Sequence, residues 1–97
     1  MTERPQATPS VRIDDGRVKA TEWAFAPGAE TGWHRHEYDY VVVPLTDGQL
    51  LIEEPGGTTA TAELSQGMPY ARKAGVEHNV INAGNTELRF LDLEITG

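Results

Sequence analysis

His34 and His36 stand two residues apart in the stretch PGAETGWHRHEYDYVVVPLTDG, Pro27 to Gly48. On a β-strand, positions i and i+2 project from one face, so both imidazoles enter one pocket. Delivered this way, two ring nitrogens reach a single ion at about 2.0–2.1 Å. The remaining histidine, His78, lies in a second Gly-bounded stretch, GMPYARKAGVEHNVIN. A single histidine in a strand is more often a hydrogen-bonded polar residue than a ligand. Three at these spacings point to a three-imidazole centre for one divalent transition metal per chain. Imidazole suits Fe, Ni, Cu and Zn alike, with Mn a further candidate, so the residues leave the metal's identity open.

The elements that must position these rings read as strands. Thr21, Trp23 and Phe25 alternate with Glu22, Ala24 and Ala26, a half-buried strand with its aromatic face towards the core. Pro27-Gly28 ends it. Before it, Val11–Ile13 and Arg17–Ala20 flank Asp14-Asp15-Gly16, an opening hairpin. After the histidine pair, Tyr40–Val43 is apolar on both faces and is expected to be buried on both. Thr46-Asp47-Gly48 turns the chain into Gln49–Glu54, and Thr58–Leu64 reads as an outer strand. Gly28, Gly48, Gly67 and Gly75 read as turn residues. Glu87–Ile95 closes the chain, and its apolar face changes sides near Phe90-Leu91, which predicts a bulge there. No segment carries a 3.6-residue apolar period, so helix content is expected near zero. Short strands between regular turn signals indicate an all-β sandwich or barrel.

At 97 residues the chain is one domain. Residues 1–10 are polar with Pro5 and Pro9 and read as a flexible N-terminal arm, leaving residues 11–97 as the folded unit. Eight basic against fifteen acidic residues give a formal charge of −7, which argues against a nucleic-acid partner. Cysteine is absent, which excludes disulfides, thiolate metal sites and thiol nucleophiles within the chain. With no apolar run long enough for a membrane span and no apolar signal-peptide core in MTERPQATPS, a cytoplasmic protein without membrane partners is expected. The two-faced run Tyr40–Val43 and the arm suggest a homodimer.

Gly28, five residues, His34-Arg35-His36 and then Gly48 resemble the first motif of the cupin superfamily. Gly67, five residues, Lys73-Ala74-Gly75, two residues, His78, three residues and Asn82 are similar to the second, which wants Pro where Lys73 stands. The two motifs span Gly28 to Asn82 in the right order. The run GWHRHEYDYVVVPLTDG also resembles small single-domain cupins linked to β-alanine degradation. The resemblance implies a small jelly-roll-type barrel, RmlC-like, with the metal inside. It also implies a fourth ligand, a glutamate, and here the chain departs. Motif spacing back from Gly48 places it at Val41, whereas alternation forward from His36 puts Tyr38 and Tyr40 on the ligand face. Either way the carboxylate is missing, and a three-histidine site is expected.

Around the ligands several residues stay open. Tyr70 and Arg72 share one strand face, either as an exposed pair or as a pocket wall with a guanidinium ready for a carboxylate. Trp33 is either core packing or a dimer contact. Asn79, Asn82 or a backbone carbonyl can take the second N–H of a ligating imidazole. Three-histidine cupins include non-haem iron oxygenases, so the resemblance implies an oxygenase-like enzyme acting on a small carboxylate or diketone, with Tyr40 as hydrogen-bond or proton donor. A non-catalytic metal- or metabolite-binding cupin and a metal-dependent isomerase or lyase are the alternatives.

Overall fold

Apolar alternation broken by Gly, Pro and Asp turns produces nine strands in the computed structural model, which describes residues 3–97. In chain order they are β1 (Thr8–Asp14), β2 (Val18–Phe25), β3 (His34–Arg35), β4 (Tyr40–Pro44), β5 (Gly48–Glu53), β6 (Thr59–Leu64), β7 (Tyr70–Arg72), β8 (Glu77–Asn82) and β9 (Leu88–Ile95). A single 3₁₀ turn, Pro55–Gly57, is the one helical element among the described residues. One sheet runs β1-β2-β9-β4-β7 and the other β3-β8-β5-β6, with every strand pair antiparallel. This is the all-β, two-sheet arrangement expected from the strand pattern, in the jelly-roll form that the resemblance implies.

The sheets close on a core of Phe25, Tyr40, Val42, Leu50, Leu88 and Phe90. Phe25 and Phe90 pack at 5.3 Å between ring centroids. Tyr40 and Val42 are buried, whereas Val41 and Val43 are only half-buried on the outer face of β4. The opening hairpin forms as expected. Its Asp15 Oδ1 accepts hydrogen bonds from the Arg17 and Val18 amides at 2.9 and 3.0 Å.

Three expectations need correction. No bulge interrupts β9, which pairs residue for residue with β2 from Leu88 to Ile95. The register shift lies instead in β1, between Val11 and Ile13. In β9 the inward positions are Leu88, Phe90 and Asp92, so the apparent slip is a carboxylate occupying a core position in an unbroken alternation. Gly48 does not sit in the turn but opens β5 opposite Leu64. A Cβ there would overlap the Leu88 Cδ1 methyl, so it is close packing, not backbone freedom, that favours glycine. Finally, the arm is docked from its first described residues. β1 already begins at Thr8, Ala7 is buried in the core, and Arg4 reaches Glu30 and Glu53 at 3.2 and 3.1 Å. Met1 and Thr2, the first residues of the expected arm, lie outside the described ones.

Candidate metal centre

β3 is two residues long, and it sets His34 directly opposite His78 of β8. Residues paired this way have Cβ atoms about 4.5–5.5 Å apart, near enough for their rings to converge. His36 lies just past the strand but is held to the same ladder. Its amide donates to the Val76 carbonyl and its carbonyl accepts from the Gly75 amide, both at 2.8 Å. Gly75 makes that return bond from a φ of 98°, a conformation that side chains disfavour.

The three rings meet at their Nε2 atoms. His34 Nε2 is 3.1 Å from His36 Nε2, which is 3.2 Å from His78 Nε2. Ligands about 2.1 Å from one ion stand about 3.0 Å apart at octahedral angles and about 3.4 Å apart at tetrahedral ones. The observed spacings fall between these values, and the donor set therefore fits one metal ion. The ring of His34 is oriented for the task. Its Nδ1 lies 2.9 Å from the Gly32 carbonyl, to which Nδ1–H donates, so the Nε2 lone pair faces the other rings. For His34 the acceptor is thus a backbone carbonyl.

Burial pushes the His36 ring down to about 4, with the charge on His34 adding to it. His78 is likewise pushed down to about 4 by burial, then by His34, His36 and Arg72. Both values lie below the ordinary imidazole value, so the metal-free fold keeps these rings neutral where the unfolded chain is protonated. Stability of the metal-free protein should therefore fall as pH drops from about 6.5 towards 4. Across the same window the two rings stay competent as ligands. Loaded protein passed through gel filtration at about pH 5.5 should keep most of its metal, although an ordinary imidazole is largely protonated there. Loss of most of the metal at that pH would contradict the buried-ring account.

Tyr40 lies flat on the His36 ring, 3.8 Å between centroids and 14° from parallel. It lines the cavity beside the histidines, and Val41 does not. Burial first, then Asp92 and Tyr70, push the Tyr40 phenol up to about 12, so it is a proton-bearing donor. Tyr70 and Arg72 line the same cavity, with the guanidinium 4.9 Å from the centre of the Tyr70 ring. They form a pocket wall, with Arg72 at the exposed rim. Tyr38 does not join them. It is 41% exposed and away from the cavity, because β3 ends at Arg35 and strand alternation does not run unbroken to β4. Trp33 is 55% exposed and packs into no core.

The residue that sequence reasoning missed is Asp92. It points inward from β9, is 8% exposed, and lines the cavity with the histidines. Burial, then the nearby Glu94, push its carboxyl up to about 7. The signal was present in the spacing Leu88, Phe90, Asp92, a strict i, i+2 series.

Behind the ligands, the two asparagines hold backbone. Asn79 accepts from the Gly32 amide at 3.0 Å and donates to Glu30 and Glu53 at 2.7 and 2.9 Å. Those carboxylates are the partners of Arg4, so a continuous polar chain runs from the N-terminal segment to the carbonyl that orients His34. Asn82 is buried in the core. Its Nδ2 donates to the carbonyls of Phe25, Ala26 and Thr86, and its Oδ1 accepts from the Gly84 amide.

Comparison with known proteins agrees with this geometry. The cupin domain family matches residues 21–94. The β-alanine degradation protein BauB of Pseudomonas aeruginosa is 61% identical over 95 residues, which cover 98% of this chain and 99% of that protein. A crystal structure of a cupin domain from Bordetella pertussis Tohama I superposes with a TM-score of 0.95 at 56% identity, covering 100% of both chains. A Klebsiella pneumoniae protein with a double-stranded β-helix domain has a TM-score of 0.78 at 19% identity, covering 100% of this chain and 83% of the other, and so shares the fold. With two sheets closed around three convergent imidazoles and a family match over most of its length, this chain belongs to the cupins.

Proposed function

We propose that this chain holds one divalent transition metal through His34, His36 and His78 and acts on a short carboxylate as a non-haem iron-type oxygenase. The observation that carries this reading is the convergence of three imidazole nitrogens on a cavity of about 50 Å³ that is also lined by Tyr40 and Arg72. By the measure in which about 10–15 Å³ holds one water, that space takes a ligand of only a few heavy atoms. The name of the Pseudomonas relative supports a three-carbon acid related to β-alanine. A bound ion supplies Lewis acidity and, as iron, reactivity towards O₂. Three neutral ligands leave its charge uncompensated, which favours an anionic substrate. The protein's part is positioning. Arg72 pairs with the substrate carboxylate, the Tyr40 phenol donates a hydrogen bond, and Val42, Leu50, Val80 and Phe90 exclude water.

Asp92 favours one second reading, a metal-dependent isomerase or lyase. A carboxyl poised near neutrality suits proton transfer. Protein prepared without a histidine tag and loaded with Fe(II) separates the two. Oxygen uptake with β-alanine, 3-oxo or 3-hydroxy three-carbon acids is expected, and it should vanish in His36→Ala. Turnover without oxygen uptake would replace the oxygenase by the proton-transfer reading. Binding without turnover would leave a metabolite-binding cupin.

The same reading includes a cytoplasmic homodimer. Support comes from Val11 and Ile13, exposed on β1, which is an edge strand. Light scattering at micromolar concentration should return twice the chain mass, and a monomer would overturn it.

A further inference from the structure

The Arg72 guanidinium and the Asp92 carboxyl line one small cavity, yet they do not pair with each other. Among the described residues, Arg72 makes no ion pair, and its one side-chain hydrogen bond is a 3.4 Å contact to the neighbouring Ala71 carbonyl. Asp92 Oδ1 is fully buried and has no hydrogen-bond partner among the described residues. A buried polar atom left unpaired is costly, and native folds keep few of them. Nothing on the neighbouring positions of the sheet relieves it. Thr21 and Val42, its partners on β2 and β4, bring no hydrogen bond to the carboxyl. Asp92 also borders the groove that opens between β1, β2 and the His34–His36 segment, so the carboxyl has a route to solvent-borne molecules.

We infer that Asp92 is a substrate-binding residue, and that the ligand is a short acid carrying a hydrogen-bond donor, hydroxyl or ammonium, at the end opposite its carboxylate. Arg72 takes the carboxylate at the rim, and Asp92 receives the donor in the interior beside the metal ligands. This deepens the reading of the site as one for small acids and rests on it. The cavity's volume limits the spacer between the two ends to a few atoms.

The test compares three probes with the same three-carbon chain that differ only in the group carried at the far carbon: propanoate (hydrogen), 3-hydroxypropanoate (hydroxyl) and β-alanine (ammonium). Calorimetry on metal-free and zinc-loaded protein should show the two donor-bearing acids binding at least about tenfold tighter than propanoate, the usual scale for a hydrogen bond to a charged group. Asp92→Leu should erase that difference and leave propanoate within about twofold. Asp92→Asn should keep part of the preference for the hydroxyl acid and lose that for β-alanine. Because the native carboxyl is unpaired, unliganded Asp92→Leu should also melt higher than the native protein. A preference that survives Asp92→Leu, a native protein that binds none of the three or does not discriminate, or a lowered melting temperature in both variants would each overturn the inference. Absence of oxygen uptake with the discrimination intact would instead count against the oxygenase reading alone.

Discussion

Chelating the metal from loaded protein should lower its melting temperature by on the order of 20 °C when free metal stands about a thousandfold above its dissociation constant. The size of the effect follows from the size of the chain. A 97-residue domain buries a modest share of its surface, so a ligand bound only by the folded state supplies a large part of its stability. His78→Ala should melt near the stripped native protein and be indifferent to EDTA. It removes the one ligand supplied from β8, since His34 and His36 lie on one segment and His78 on the strand opposite. Differential scanning calorimetry with and without chelator checks both statements. A native melting temperature unmoved by EDTA, with metal shown to have left, would exclude a structural contribution.

The second large effect is expected at Tyr40. Its ring steadies His36 by stacking, and it lines the cavity together with Asp92 and Arg72. Tyr40→Phe keeps the ring and removes only the donor. Metal stoichiometry should stay unchanged while turnover falls by about a hundredfold, the lower range for a positioned proton donor. Tyr40→Ala removes the stack too and should cost about 10- to 100-fold in metal affinity. Full activity in Tyr40→Phe would show that the phenol takes no part. A loss of metal in that variant would make the phenol itself a ligand.

Much of this was legible in the sequence because it rests on short-range geometry. The His-x-His spacing, the Asp14-Asp15-Gly16 hairpin and the strand of Thr21, Trp23 and Phe25 each follow from one local period. What failed was extrapolation through breaks. Counting alternation from His36 reached Tyr40 correctly but carried Tyr38 with it, although the strand had already ended at Arg35. Asp92 was hidden for a different reason. Periodicity is read from apolar residues, and a carboxylate on the inward face makes an intact strand look displaced. Neither could a single sequence show that Arg4, Glu30, Glu53 and Asn79 meet, because their separations run to 49 residues. The exposed or walled alternatives for Tyr70 and Arg72 were likewise decided by tertiary placement alone.

The brevity of β3 bears on how the ion comes and goes. Two of the three ligands hang on or beside a two-residue strand at the edge of its sheet, joined to a single neighbour. Such an edge opens far more readily than the interior strands β8 and β5. An ion held there would exchange by peeling His34 and His36 away from β8, with the barrel left standing. The edge would act as a latch that a bound ion keeps shut. In amide hydrogen exchange, Thr31 and His36, whose N–H groups bond to Val80 and Val76, should be slow in loaded protein. They should become fast on chelation, while Ile81, paired with Leu51 in the interior of the sheet, hardly changes.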